Sequence, residues 1–328
     1  LPLKEMKILF LSDLRKKRNT GFEILKTLKK MGYEVYPVNI KGFLPDVKIK
    51  NILKFKKPEV LFTFKGVGKV DYKKIDYKFK KKVVWYPDPD IFVGDRFNEN
   101  LRDIFEFHDC VFVIVKSKTR ELKKILGKEN IHFLVQGTRF FEYEIREIPE
   151  EFRCDIGFIG SLKGKIYSKR REILSGICIR FGKEYRIKMW GSKPDKRENF
   201  YGVLNEFHTG KRVFFEDFKR AVLGSKIIVD IAREDALKEE GALSQKVFMI
   251  TGCGGFLLMH YLKGIEEFFE IGKEIEVYRS LDEAYKKIEY YLKNEDKRRE
   301  IAENARKRVL KEHLYENRLK KMFEVCKI

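Results

Sequence analysis

Short apolar runs alternating with helix-length amphipathic stretches occur in two successive trains, and this constrains the chain more than any other feature. "KILFL" (7–11), "EVYPV" (34–38), "EVLFTF" (59–64), "KVVWY" (82–86), "VFVIV" (111–115) and "IHFLV" (131–135) form the first train. Each is short and nearly continuous in its apolar character, as a parallel strand covered on both faces must be. Between them Phe22, Leu25 and Leu28 recur at helical spacing ahead of Gly32, and Leu122, Ile125 and Leu126 ahead of Gly127. Glycine just past the last periodic residue is a helix stop. The alternation predicts a doubly wound α/β sheet.

The rhythm restarts after "EIPEEFRC" (147–154), an acidic segment read as a linker. The expected domains are therefore 1–150 and a second from 151 onward. In the second, "DIGFIGS" (155–161), "RIKMWG" (186–191), "KIIVDIA" (226–232) and "GFLLM" (255–259) read as strands. Ser168 is the expected cap of a helix carrying Ile173, Leu174 and Ile177, and Ser280 with Glu283 makes a capping box before Ala284, Ile288 and Leu292. A last helical stretch is expected over 295–325. The glycines of "TGCGG" (251–255) invite a phosphate-cradle reading. Their place between a helical run and "GFLLM" assigns them instead to a helix end and a tight strand start.

Ligands of doubly wound sheets lie outside the carboxyl ends of the strands, so the loops after strands carry the functional expectations. The loop "SDLRKKRNTG" (12–21) has one glycine, and no GxGxxG follows either first strand, which argues against a nicotinamide site. GxxxxGK[ST] and GxSxG are also absent, against a P-loop NTPase and a serine hydrolase. The five histidines are scattered without HExxH, and no metal site is expected. "YPDPD" (86–90) places Asp88 and Asp90 at a strand end. A DxD can hold a cation on a diphosphate, but a catalytic role without metal fits this turn better. Five cysteines without CxxC suit reduced thiols and a cytoplasmic location, and there is neither an apolar run of membrane-spanning length nor a signal-peptide pattern.

The formal net charge is +21 and it is uneven: residues 1–82 hold 23 Lys and Arg against 8 Asp and Glu. A basic N-terminal lobe suits an anionic partner, whether nucleic acid, a phosphorylated substrate or an anionic membrane face met peripherally. Abundant Lys and Glu with only two Gln also match a thermophile-like composition, which accounts for part of the charge.

The stretch from Lys246 to Met322 holds the glycine turn, "FFEIGKE", "YYLKNEDKRREIAENARKRV" and "EHLYENR" in order. It resembles the C-terminal domain of the CgeB/YkvP-type glycosyltransferases, often labelled spore maturation proteins. "DIGFIGSLKGKIYSKRREIL" (155–174) resembles the start of that domain, and "SKIIVDIA" (225–232) the strand before its donor loop. "KKVVWYPDPD" and "HDCVFVIVKSKTRELKKIL" match more loosely in the first half. The resemblance implies a GT-B architecture: two Rossmann-like doubly wound domains facing across a cleft, with residues 151–311 binding a nucleotide-sugar, residues 1–150 an acceptor, and a final helix over about 312–328 packing back on the first domain. It further implies a metal-independent transfer, with no cofactor beyond the nucleotide-sugar itself and a UDP-sugar as the expected donor.

A departing nucleoside diphosphate gains negative charge, which helix-terminal amides and basic side chains must stabilise. The loop "EEGALSQK" (239–246) leads into a helix, which points to Ser244 and Gln245; the resemblance implies Lys246, in the position where that family usually has Arg, as the first candidate for a diphosphate contact. Ser161, Lys165, Arg170 and Arg171, at and after the "GFIGS" turn, are the second group. Relatives carry an acidic residue for the ribose where this chain has Met249, and a thioether cannot accept two hydroxyl hydrogen bonds in the same way. Glu239 or Glu240 is then the candidate for the ribose. Asp13, Asp88 and Asp90 are candidate bases for an inverting reaction. The acceptor is expected to be anionic: a glycan, a lipid-linked group or nucleic acid. Met249 and the basic lobe together favour an alternative, a GT-B-fold protein with little or no turnover that binds nucleic acid or another anionic polymer.

Overall fold

The computed structural model describes residues 6–17, 19–93, 96–139 and 144–328. In chain order the first strands and helices are β1 (Lys7–Ser12), α1 (Thr20–Lys30), β2 (Glu34–Asn39), α2 (Pro45–Lys56), β3 (Val60–Phe64), β4 (Lys81–Tyr86), the short pair β5 (Phe92–Val93) and β6 (Arg96–Phe97), α3 (Arg102–Phe107), β7 (Cys110–Val113), α4 (Thr119–Leu126) and β8 (Ile131–Phe133). There follow β9 (Cys154–Ser161), α5 (Ser168–Phe181), β10 (Ile187–Ser192), α6 (Tyr201–Glu206), α7 (Phe215–Gly224), β11 (Ser225–Asp230), α8 (Glu234–Leu237), α9 (Gln245–Gly252), β12 (Leu257–His260), β13 (Glu276–Tyr278), α10 (Leu281–Lys293), α11 (Glu295–Glu312) and α12 (Tyr315–Cys326). The chain divides into two compact units, Leu1–Gly137 with Tyr315–Ile328, and Thr138–Leu314.

The first unit is built on a six-stranded sheet in the order β2-β1-β3-β4-β7-β8, parallel throughout. The second has a five-stranded sheet, β10-β9-β11-β12-β13, also parallel throughout. Both are Rossmann-like, and in both the order reverses beside the first strand: between β1 and β3, and between β9 and β11. A crevice opens at such a point because the flanking connections leave in opposite directions, and it opens at the carboxyl ends of the strands.

Helix α12 belongs to the first unit's core. Tyr315, Leu319, Met322 and Phe323 are buried with Ile8, Phe10, Phe62 and Trp85. The Tyr315 ring meets Trp85 edge-on at 6.2 Å, and Phe323 meets Phe62 at 6.5 Å. The helical stretch expected over 295–325 is thus two helices. They break at His313–Leu314, where the buried His313 ring bonds the Phe268 carbonyl at 3.0 Å and its own carbonyl accepts from Thr138 N–H at 3.1 Å. The His313 carbonyl, turned to Thr138, is not available as the acceptor that the next turn of a continuous helix would use.

The glycine turn is structural. Helix α9 ends at Gly252, and Gly254 takes a left-handed φ of 89°, which reverses the chain into β12. Ser280 caps α10 as expected, its Oγ accepting from Glu283 N–H at 3.1 Å, while the Glu283 carboxylate reaches one residue beyond the cap and accepts from Arg279 N–H at 2.8 Å. Ser168 is not the cap expected of it. It is the first residue of α5, and the cap comes from Glu234, beyond the end of β11. The Glu234 carboxylate accepts from Lys169 N–H at 2.8 Å and from the Ser168 hydroxyl.

His108 is buried in the first unit. Its Nδ1–H donates to the Ile104 carbonyl at 2.6 Å, which leaves Nε2 to accept from Thr63 Oγ1 at 2.8 Å. Burial pushes its pKa down to about 3. The folded protein keeps the ring neutral while the unfolded chain takes up a proton below about pH 6.5. Its contribution is therefore fully present above that pH and shrinks as pH falls, by about 1.4 kcal/mol per unit. Urea unfolding between pH 6.5 and 5 should show this slope, and H108N should flatten it by about that amount.

Candidate functional site

At the switch point of the second unit, three strands and two helices bring charged side chains together. Asp230 ends β11, Lys246 lies in the first turn of α9, and Arg170 lies in the first turn of α5. Lys246 Nζ pairs with Asp230 Oδ1 at 2.5 Å and donates to the Ile159 carbonyl at 2.8 Å, over the Phe158 ring. Arg170 is buried, and its hydrogen bonds go to carbonyls: Nε to Ile231 at 2.8 Å, Nη2 to Ile231 at 2.5 Å and Nη1 to Ser161 at 2.7 Å. Its guanidinium also lies over the rings of Tyr167 and Phe158, at 4.4 and 5.5 Å from their centroids. The two cations converge on Gly160: a methyl group there would lie 3.2 Å from Lys246 Nζ and 3.4 Å from Arg170 Nη1. The same methyl would meet the Phe158 ring at 2.8 Å, so the space at Gly160 is closed mainly by that ring and crowded by the two cations. Gly191 of β10, in register with Gly160, is as tightly constrained, since a Cβ on it would sit 1.8 Å from the Gly160 carbonyl oxygen.

This cluster is electrostatically unbalanced. Two cations share one carboxylate, and the carboxylate pairs with Lys246. Burial lowers the pKa of both Lys246 and Arg170, with the nearby Asp230 opposing the shift in each case. Removing charge from water is costly unless an opposite charge is near. A buried excess of one positive charge at a crevice-forming strand end is an arrangement that an anion would complete.

Next to it, α9 presents its N-terminus. Ser244 takes the extended conformation of an N-cap but its side chain makes no capping bond, so the exposed hydroxyl is not engaged by the helix. Gln245 follows, half-buried. Ser161 closes β9, with its hydroxyl accepting from Lys163 N–H at 3.3 Å. Lys165 stands exposed in the loop beyond and has no ion-pair partner among the described residues.

Two of the candidate cations have partners within the protein. Lys246 was the first candidate for a diphosphate contact, but its ammonium is already bound to Asp230 and Ile159. Arg171 was placed with the ligand-facing cations. It is buried instead, donating to the Leu162 and Gly164 carbonyls at 2.8 and 2.9 Å and pairing with Glu198 at 3.2 Å, so it braces the loop after β9. Asp230 was not singled out from the sequence. Its only signal was its place as the sole acidic residue of "KIIVDIA" (226–232). Met249 lies half-buried one turn beyond Lys246. Glu240, in the loop before α9, pairs with Lys263 at 3.2 Å.

In the first unit, the candidate aspartates lie at the carboxyl ends of β1 and β4, on either side of β3. Asp13 is held by Arg15 through Nε at 3.0 Å, Nη2 at 2.8 Å and the backbone N–H at 3.2 Å, and these bonds hold its carboxyl below the usual range. Asp88 pairs with Lys65, and Asp90 accepts from the Tyr86 hydroxyl at 2.8 Å. The two carboxylates of "DPD" (88–90) thus have different partners. Among the described residues, no group of three or more His, Cys, Asp or Glu side chains gathers as a metal site. Lys65 itself takes a left-handed φ of 70°, a conformation that a side chain rarely adopts.

A concavity of about 560 Å³ also opens in the second unit. It lies at the amino ends of β9, β11 and β12, between Arg186, Lys226 and Arg306, away from the switch point.

Residues 170–324 match a family described as glycosyl transferase-like. No match was found among curated proteins. Among solved structures, sucrose-phosphate synthase from Thermosynechococcus elongatus superposes with a TM-score of 0.70 at 11% identity, covering 98% of each chain. The fold is GT-B. The GT-B protein Alr3699/HepE of Anabaena, solved with UDP and glucose, gives 0.64 at 13% identity over 97% of this chain and 98% of that one. An α-glucosyltransferase solved with UDP-glucose and DNA containing an abasic site gives 0.70 at 10% over 98% and 99%. No helix among the described residues is long and apolar enough to cross a membrane.

Proposed function

We propose that the chain is a glycosyltransferase that takes a nucleoside-diphosphate sugar, a UDP-sugar, at the carboxyl ends of β9 and β11. The observation that carries this reading is the buried excess positive charge of Arg170 and Lys246 over Asp230, set beside the uncapped N-terminus of α9. The glycosyl transferase-like match over 170–324 and the UDP-bearing GT-B structures support it.

The chemistry follows from charge. Breaking the glycosidic bond leaves negative charge on the diphosphate, and donors already in place lower the barrier because they need not reorganise. In this reading the first-turn amides of α9 at Ser244 and Gln245 receive the diphosphate. Lys165 and Ser161 close on it from the β9 side, while Arg170 and Lys246 supply positive charge from behind the turn and a bound cation is not needed. Glu240 takes the ribose in place of the carboxylate that Met249 lacks. The acceptor hydroxyl falls to the first unit. There Asp13, Asp88 and Asp90 are the candidate bases of an inverting reaction; Asp13 is already engaged by the Arg15 guanidinium through two bonds.

The experiment is a thermal-shift panel with UDP, GDP, ADP and CMP. A nucleotide that binds only the folded protein stabilises it by about 2.7 kcal/mol at a hundredfold excess over Kd. UDP should raise the melting temperature most. No shift with any of the four would overturn the reading. Met249 favours a second one, a GT-B protein that binds an anionic polymer without turnover. A UDP shift without donor hydrolysis or transfer, together with steeply salt-dependent polymer binding, would support that instead.

A further inference from the structure

We propose that the outer face of α2, with the loop leading into it, docks the protein on an anionic lipid surface. Eleven large apolar side chains are well exposed among the described residues, and four of them fall within thirteen positions: Phe43 (80% exposed), Leu44 (52%), Val47 (48%) and Phe55 (71%). The helix does not need these residues for the core. Its inner face carries the buried Ile49 with the half-buried Ile52 and Leu53. Val47 and Phe55 lie eight residues apart, two turns along one side of the helix, away from Ile49. Helix α2 thus exposes Val47 and Phe55 on its outer side, with Phe43 and Leu44 exposed in the segment leading into it, and the Lys54 ammonium lies over the Phe55 ring at 5.4 Å. Leu44, at the N-cap, holds a left-handed φ of 45° that an unconstrained leucine avoids, and it does so with its side chain in solvent.

These side chains are set among cations. Lys48, Lys50, Lys54, Lys56 and Lys57 are all exposed, and Asp46 is the one acidic residue of the segment 41–57. None of these five lysines has an ion-pair partner among the described residues, although ion pairs are abundant elsewhere in the chain. Exposed aromatic and aliphatic side chains on a helix and its lead-in, with lysines beside them, are the composition of a segment that lies in the plane of a bilayer. There the apolar side chains enter the acyl boundary, and the lysine stems reach back to the phosphates. Nucleic acid would satisfy the lysines and stack on the two phenylalanines, but it would leave Leu44 and Val47 facing water or backbone. A bilayer takes all four.

The docking face lies in the first unit and needs no nucleotide, so vesicle binding and UDP binding fail separately. The test is co-sedimentation with vesicles of phosphatidylcholine, with and without phosphatidylglycerol. The protein should pellet with the anionic vesicles, and less so as salt is raised. The pair F43A/F55A should weaken that binding about tenfold or more, with no change in melting temperature because both rings are exposed. The pair K48E/K54E should abolish it. In F55W the new indole should be quenched by bromine-labelled lipid, while the two native tryptophans, both buried, stay dark to the quencher. Wild-type pelleting by F43A/F55A, an unquenched F55W, or capture by single-stranded DNA with no vesicle binding would each overturn the proposal.

Discussion

Ser244→Asp should abolish the UDP-induced thermal shift without lowering the melting temperature of the free protein. Asp is as good an N-cap as Ser, and a carboxylate favours the positive end of a helix, so α9 loses nothing by the change. The same carboxylate would stand where the diphosphate is proposed to bind. Two like charges about 4 Å apart near a protein surface repel by up to about 4 kcal/mol. A loss of about 3 kcal/mol is roughly a hundredfold in Kd. Isothermal titration with UDP reads the affinity and urea unfolding reads the stability. Unchanged affinity in a folded S244D protein would move the diphosphate away from α9.

Asp230→Ala should be the most destabilising single change in the second unit, at about 3–5 kcal/mol. It removes the one carboxylate that two buried cations share, and it leaves Lys246 and Arg170 facing each other across Gly160. A loss of this size lowers the melting temperature by roughly ten degrees in a unit this large. Lys246→Met should cost less, because Arg170 remains near Asp230 as its counter-charge. The double change D230L/K246M should recover much of the loss, since a buried pair replaced by apolar groups of similar size is often neutral. A double-mutant cycle by urea unfolding measures the coupling directly. Near-additive losses would mean that the pair contributes little. Lys246→Ala is thus a poor probe of ligand contact, because any effect on nucleotide binding would be mixed with the broken ion pair.

The strands were legible because each is a short apolar run, and local pattern is enough to place such a segment. The two-residue strands β5 and β6 and the three-residue β13 were missed, because segments this short give no run to recognise, whereas β8, equally short, sits in the longer apolar run "IHFLV". The end of α9 was also legible, since a glycine past an apolar helix has a local meaning. What could not be read were pairings across the sheet. Asp230 and Lys246 are 16 positions apart, and only the crossover between β11 and α9 brings them together. Glu234 caps α5 from 65 positions away and displaces the local candidate, Ser168, from that role. Arg171 looked like a ligand-facing cation from its place after a strand, but its guanidinium is turned inward to the Leu162 and Gly164 carbonyls of its own loop and to Glu198. The sequence reading picked out the strand ends and the helix start where Arg170, Ser244 and Lys246 stand. Which cations remain open to a ligand depended on long-range geometry.

Helix α12 has a consequence for how the protein is made. The sheet that leaves the ribosome first cannot complete its own core. Phe62, Trp85 and Tyr33 wait for Tyr315 and Phe323, which are synthesised some 180 residues after β8. The second unit, whose residues are contiguous from Thr138 to Leu314, can close before that. The earlier-born half therefore matures last, and a nascent chain arrested anywhere before α12 would carry an open aromatic surface for chaperones to cover.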